Sequence, residues 1–324
     1  LFDTGLYKQV FKIPEEWSEV SMDQQSKYHD LTLQGHILSV VENVNRLSKE
    51  EDIPDSERMM LNLSAMFHDF GKMNPEYQSE HPKDPTKKRY IKHEQGSEDF
   101  SMESMTRMAF PEDVKKFVGT LVGSHMAPSV FEKGATSDKK RRREFGKFLR
   151  KVGPLYAQVM RLRKADLLGK GDHVESELGR QHMDNHADSV SALEDYRNQA
   201  THGDGFLFDK PILNGNDIMD IIKSDYPEIL RATNKFVSNS TTSNKPWHYL
   251  KYLLELLLRQ QQSLSIKDKA SAEKFVRSQI GQLEGQLARS DKMSSGWYSQ
   301  VKKADASVGQ GPEGYQGSDG VPAL

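Results

Sequence analysis

The stretch AMFHDFGK, residues 65–72, decides how this chain is read. Upstream of it, Met59, Met60, Leu63, Met66 and Phe67 recur at helical spacing, and Ser56 is placed to cap the helix they predict. That apolar run ends in His68 and Asp69 side by side, followed at once by a turn residue, Gly71, and a cation, Lys72. One explanation is a histidine and an aspartate that hydrogen-bond each other at a helix end. The other is two ligands of one metal ion, which requires further ligands elsewhere in the chain.

Working outward, apolar residues follow the helical period almost everywhere, and alternating strand patterns are scarce. Thr32 can cap a helix with Leu33, Ile37, Val40, Val41, Val44 and Leu47 on its inner face. Residues 74–92, with three prolines and many charges, read as a loop, and a helix follows His93. Pro111 opens another, which ends near His125. A basic helix spans about 138–151, and one after Pro154 runs through Met160, Ala165 and Asp166 to stop at Gly169. Residues 172–204 are polar, and His173, His182, His186 and His202 among them read as surface residues. Farther on, Asn216 or Asp217 caps a helix in PILNGNDIMDII (211–222). Trp247 to Leu258 reads as a buried helix, because helices apolar on most sides are interior, and 265–292 as a charged, mostly solvated one.

The fold expected is all-α: a helical bundle followed by a smaller helical body region and a disordered tail. The boundaries expected are a lead-in over 1–27, a bundle domain over 28–175, a body region over 176–262, a C-terminal helix over 263–303 and a Gly/Ser/Asp-rich tail over 304–324.

The helix reading supplies the partners that a metal demands. His36 shares a face with Leu33, Val40 and Val44; His93 opens one helix, His125 closes another, and Asp166 lies one turn past Leu162. A single histidine on an apolar face is an ordinary core residue. Several of them beside a His-Asp pair are costly to bury without a common partner.

This order of residues resembles the HD superfamily of metal-dependent phosphohydrolases, in particular the HD and body region of bacterial CCA-adding tRNA nucleotidyltransferases and poly(A) polymerases. YHDLTLQGH (28–36), HDFGK (68–72), KHEQGSE (92–98), GSHM (123–126), RKADLLGKG (163–171) and LNGNDIM (213–219) carry the resemblance over roughly residues 1–235. It implies an all-helical fold with His36, His68, Asp69, His93, His125 and Asp166 as metal ligands. It also implies hydrolysis of a phosphate ester, with His68, Asp69 and Lys72 as catalytic residues. His29 falls in a matching stretch and is expected to support the ligands from behind.

The chain departs from that family in two places. No Gly-Ser loop followed by an Asp-x-Asp pair is present, so nucleotide addition does not carry over. SDYPEILRATN (224–234) also replaces the Gly-Pro-containing segment that usually follows LNGNDIM. Because the chain begins at Leu1, a nucleotidyltransferase-like head, upstream or as a separate partner, is an expectation.

Imidazole and carboxylate ligands without thiolate suit Mn, Ni, Co, Fe or Zn, and Mg less well. His36, His68, Asp69 and Asp166 make one site; His93 and His125 make a second, with Asp69 bridging. One or two divalent ions are therefore expected. The chain has no cysteine, which excludes disulfides and thiolate sites and fits a cytoplasmic setting. No apolar run is long enough for a membrane span, so no membrane partner is expected.

With 324 residues, 28% of them charged and a net charge of −2, no global field draws the chain to nucleic acid. Any such binding must be local, and KKRRREFGKFLRK (139–151) is the local candidate, extended by Arg161, Arg163 and Lys164. Lys72, Arg141, Arg142, Arg143, Lys147 and Arg163 are the expected phosphate or RNA contacts, and RNA or a nucleotide is the expected substrate. The alternatives left open are a phosphohydrolase acting on RNA ends or nucleotides, and an RNA-binding HD-body module with little hydrolysis of its own.

Overall fold

A computed structural model describes residues 5–17, 31–132, 137–202, 205–227 and 245–289. The fold is all-α with a few short strands. The expected tail over 304–324, the segment around His29 and most of the expected lead-in lie outside the described residues.

Two compact units are present: Leu1–Ala135 with Lys151–Ala192, and Thr136–Arg150 with Leu193–Tyr315. The first holds α1 (Leu6–Phe11), α2 (Leu33–Glu50), α3 (Asp55–Phe67), α4 (His93–Arg107), α5 (Glu112–Val122), α6 (Ser129–Glu132) and α8 (Tyr156–Leu168). Two longer helices, α7 (Asp138–Val152) and α9 (Glu177–Gln199), run across the unit boundaries.

In the first unit the sequence periods become a packed core. Leu33, Ile37, Val40, Val44 and Leu47 of α2 are all buried, and α2 packs on α3 and α8. Fully burying such a side chain is worth about 1.5–3 kcal/mol, so this stripe dominates what holds α2 in place. The Thr32 hydroxyl accepts from Gly35 N at 3.1 Å and caps the helix as expected. Phe11, Phe67 and Phe70 meet edge to face, with ring centroids 5.2 Å apart for Phe11–Phe67 and 5.5 Å for Phe67–Phe70. Phe67 and Phe70 flank the His-Asp pair in sequence, so the cluster fixes the end of α3.

In the second unit, Leu213, Ile218, Ile221 and Ile222 around α10 (Gly215–Asp225) pack with Leu250, Leu253 and Leu257 of α11 (Lys245–Gln262). Ala272, Val276 and Ile280 of α12 (Lys269–Arg289) complete this core. The strongly apolar helix is thus buried, as its composition indicates.

Four local expectations are corrected. Residues 74–92 are not all loop: β1 (Gln78–His81) pairs antiparallel with β2 (Asp84–Tyr90). A two-stranded hairpin needs no apolar alternation when neither face is deeply buried, so its charges and prolines hid it. The helix after Pro54 begins at Asp55 with no side-chain cap, rather than at a Ser56 cap. The cap of α10 is Asn214, whose side chain accepts from Asn216 N and Asp217 N while Asp217 returns a bond to Asn214 N. Finally, much of 172–204 is the 23-residue helix α9. Its buried positions His186, Ser189, Leu193 and Tyr196 follow a three-four spacing. Two of them are polar, so a search for apolar stripes misses the face.

Among the described residues, no helix is long and apolar enough to cross a membrane.

Candidate metal centre

The six residues named from sequence order converge within the first unit, and all are buried. His36 comes from the first turn of α2, His68 caps the end of α3, and Asp69 follows it into a 3-10 turn over Phe70–Met73. His93 is the first residue of α4, His125 lies just past α5, and Asp166 sits near the end of α8.

The four imidazoles share one hydrogen-bonding arrangement. Each Nδ1 lies close to a backbone carbonyl: Gly169 O at 2.9 Å for His36, and Ala65 O, Tyr90 O and Val122 O at 2.7 Å for His68, His93 and His125. A carbonyl can only accept, so each Nδ1 carries the proton and donates. Each Nε2 is left with its lone pair turned inward, the tautomer a metal requires.

The carboxylates stand between these nitrogens. Asp69 Oδ2 is 3.3 Å from both His36 Nε2 and His68 Nε2, while Oδ1 is 3.1 Å from His93 Nε2 and 3.7 Å from His125 Nε2. Asp166 Oδ1 is 3.2 Å from His36 Nε2. Two triads result, His36–His68–Asp69 and Asp69–His93–His125, each with ligand atoms within 4.8 Å of one another and both sharing Asp69. Buried His/Asp groups able to hold a metal ion are therefore present.

Several observations test the fit. Nε2 of His93 and of His125 is buried and makes no hydrogen bond. A buried polar atom left in that state is expensive, and a cation held with Asp69 in the second triad would satisfy both. Burial, with His68 and His93 adding to it, pushes the His125 imidazole down to about 3, so it stays neutral and able to ligate. Burial would raise the Asp69 carboxyl, but the Lys72 ammonium first, and then the neighbouring His68 and His36 rings, hold it well below the usual range. Asp166 is likewise held down against burial by His36, Arg163 and Lys170. Burial would lower the His36 imidazole, but Asp166 and Asp69 beside it raise it, so the two ionised carboxylates draw positive charge to this site.

Gly71 is essential here through close approach, and its backbone is not left-handed. A Cβ on Gly71 would lie 2.1 Å from His93 O and 2.9 Å from Ser97 Oγ, and its N–H donates to Ser97 Oγ at 2.8 Å. The turn after the His-Asp pair is thus pressed against the start of α4, which brings His93 to Asp69. Gly169 does the same between α8 and α2, where a Cβ would meet Val40 Cγ2 at 2.5 Å.

Lys72 is not a solvated loop lysine. It is 6% exposed, its Nζ lies 2.8 Å from Asp69 Oδ2, and it sits over the Tyr90 ring. Arg163 is buried too, with its guanidinium bonded to Asp166 Oδ2 at 2.7 Å and Glu132 Oε2 at 3.1 Å. It is committed to holding Asp166 and does not extend an exposed basic patch. Arg161 is held by Glu51 at 2.6 Å. Arg141, Arg142, Arg143 and Lys147 lie on α7 in the second unit. Arg142 and Lys147 are exposed, whereas Arg141 and Arg143 are half-buried, Arg141 over the Phe145 ring.

Sequence reading missed the support behind Asp166. His186, expected at the surface, is 3% exposed, and its Nδ1 is 2.8 Å from Glu132 Oε1, which in turn holds Arg163. Lys170 was missed as well. The glycines on either side of it, four residues past Asp166, were the available signal.

Neither the models of known families nor the curated proteins match the chain.

Proposed function

We propose that the chain is a metal-dependent phosphohydrolase of the HD type, acting on RNA ends or nucleotides in the cytoplasm. The observation that carries this reading is the pair of buried His-His-Asp triads sharing Asp69, with two imidazole Nε2 atoms that no protein group satisfies. His36, His68, Asp69 and Asp166 would hold one divalent ion, and Asp69, His93 and His125 a second. Mn, Ni, Co, Fe and Zn fit these donors, with Mg weaker. When bound, such ions make a water more acidic and neutralise charge on a phosphoryl oxygen.

The chain's own groups do the rest. The four Nδ1–H bonds hold the imidazoles in one tautomer and one orientation. Arg163 fixes Asp166 so that Oδ1 faces His36, while Glu132 and His186 fix Arg163. Lys72 steadies Asp69 and can donate to a phosphate oxygen at the same edge. The helices on every side exclude water from the ligands and keep the effective dielectric low.

Metal analysis of protein purified without chelator, together with a panel of 2′,3′-cyclic phosphates, 2′- and 3′-nucleotides and an aryl phosphate, tests this. The expected result is one or two ions per chain and turnover that is lost in Asp69→Ala. Silence across the panel from folded, metal-loaded protein overturns the hydrolase reading.

A second reading rests on α7, whose exposed Lys139, Lys140, Arg142, Lys147 and Arg150 make a cationic face. On that reading the chain grips RNA through phosphate contacts, as an HD-body module working with a nucleotidyltransferase-like head.

A further inference from the structure

Lys170 follows Gly169, whose carbonyl receives the His36 Nδ1 proton, and it precedes Gly171, whose φ is +67°. It is 9% exposed. The other cations of this region have partners: Lys72 with Asp69 at 2.8 Å, and Arg163 with Asp166 at 2.7 Å and Glu132 at 3.1 Å. Among the described residues, Lys170 makes no hydrogen bond and no ion pair within 4.0 Å. Its electrostatic neighbours are of both signs: Asp166 and Glu132 attract it, Arg163 and Lys72 repel it.

A buried ammonium with no direct counter-ion is costly, and placing it against two further cations adds to that cost. Burial, opposed by Asp166 and reinforced by Arg163 and Lys72, pulls Lys170 down to about 8, so it remains largely charged at neutral pH. A divalent ion at Asp69 and Asp166 would add more positive charge nearby. The arrangement lacks a compact anion of more than one negative charge.

We propose that Lys170 completes a phosphate subsite beside the His-Asp centre, which selects a dianionic phosphate monoester over a monoanionic diester. The proposal rests on the hydrolase reading for the place of this subsite in a reaction, but the binding it describes can be measured without turnover. Lys72 and Lys170 supply its cations. A terminal phosphate carries a charge of about −1.5 to −2 at neutral pH, whereas a diester carries one negative charge and offers fewer free oxygens.

The test titrates inorganic phosphate and dimethyl phosphate into the metal-loaded full-length chain by calorimetry. The wild type is expected to prefer phosphate. Lys170→Met is expected to lose phosphate affinity by about 10- to 100-fold, the range for one hydrogen bond to a charged group, and to change dimethyl phosphate affinity by less than about threefold. Lys170→Arg keeps the charge and is expected to keep the preference. Unchanged phosphate affinity in Lys170→Met, or an equal loss for both ligands, overturns the proposal. Loss of the preference in Lys170→Arg overturns it too, even where Lys170→Met fails to load metal. A chain that is silent on every ester yet loses its phosphate preference in Lys170→Met overturns the hydrolase reading and keeps the subsite. A chain that hydrolyses esters with phosphate affinity indifferent to residue 170 does the reverse.

Discussion

Replacing His125 with leucine separates a histidine kept for metal from one kept for the core. His125 is 1% exposed, its Nδ1 donates to Val122 O at 2.7 Å, and its Nε2 makes no hydrogen bond. In the metal-free protein the unsatisfied Nε2 costs about 1–3 kcal/mol, and the bond to Val122 returns about 0.5–1.5 kcal/mol. Leucine removes the unsatisfied Nε2 at similar volume but leaves Val122 O without its donor, a further cost of about 1–3 kcal/mol, so the terms nearly cancel and metal-free His125→Leu is expected within about 1 kcal/mol of the wild type. For a domain of this size that is a Tm within about 2–4 °C of the wild type. Metal separates the two. An ion at about 100 times its Kd stabilises the wild type by about 2.7 kcal/mol, and the variant loses the share held at Asp69, His93 and His125. Leu121→Ala, four residues earlier and fully buried, serves as the control, with an expected loss of about 2–5 kcal/mol whether or not metal is present. The assay is thermal unfolding of all three proteins with chelator and with excess Mn. A His125→Leu protein that falls in chelator as far as Leu121→Ala, or that keeps the full metal-induced rise, refutes the reasoning.

Gly71→Ala drives a methyl group to within 2.1 Å of His93 O. Overpacking of this kind costs about 1–3 kcal/mol, and displacing His93 should lower metal stoichiometry as read by elemental analysis; wild-type Tm and metal content would contradict it. His182 is pushed down to about 4 from 6.5, by burial first and then by Lys170, Arg163 and His173. The unfolded chain therefore binds a proton in the window between those values while the native chain does not, so stability falls as pH drops from 6.5 towards 4. Urea unfolding in chelator at both ends of that window should show a smaller loss for His182→Gln, and an equal loss argues against the shift. On α7, Arg142→Gln with Lys147→Gln should weaken RNA binding to all sequences alike and reduce the slope of log affinity against log salt by about 0.7–0.9 per lost contact. An unchanged slope leaves that face merely solvated.

The fold was legible where burial and helical period coincide. Leu33, Ile37, Val40, Val44 and Leu47 announce α2, and the leucines of α11 announce the second core, because an apolar stripe has no cheaper place than an interior. It was illegible where polar residues are buried by pairing. His186 and Ser189 lie on the inward face of α9 but carry no hydrophobic signal. The hydrogen bond from His186 to Glu132 that justifies its burial joins residues 54 positions apart. Arg163 was misjudged for the same reason: its counter-ions are tertiary facts, so it looked like part of an exposed basic patch from sequence alone. The Gly71 position was read correctly as a requirement for glycine, but for a turn. The actual requirement is the backbone of α4 pressed against it.

The convergence of these histidines was readable for a physical reason that the structure supplies. Three of the four histidines donate Nδ1 to the carbonyl three residues earlier: Ala65 for His68, Tyr90 for His93 and Val122 for His125. Ala65 and Val122 belong to the last turns of α3 and α5, where carbonyls have no intrahelical partner. A histidine just past such an end satisfies the helix with one nitrogen and aims the other away from it. Helix termination and ligand orientation are then one hydrogen bond, encoded within four residues. That is why a His placed at the close of an apolar stripe was informative at positions 68 and 125. His36 differs, because its Nδ1 bonds to Gly169 O, 133 positions away. Its orientation depends on α8 packing against α2, and so does the approach of Asp166. If this division is right, loosening that packing with Gly169→Ala should impair the His36–Asp166 side first, while the locally oriented His93 and His125 still face Asp69. Titration with Co, followed by its visible absorption, should then show one site lost and one retained. Loss of both sites together, in protein that remains folded, would show that the local bonds do not orient the ligands independently.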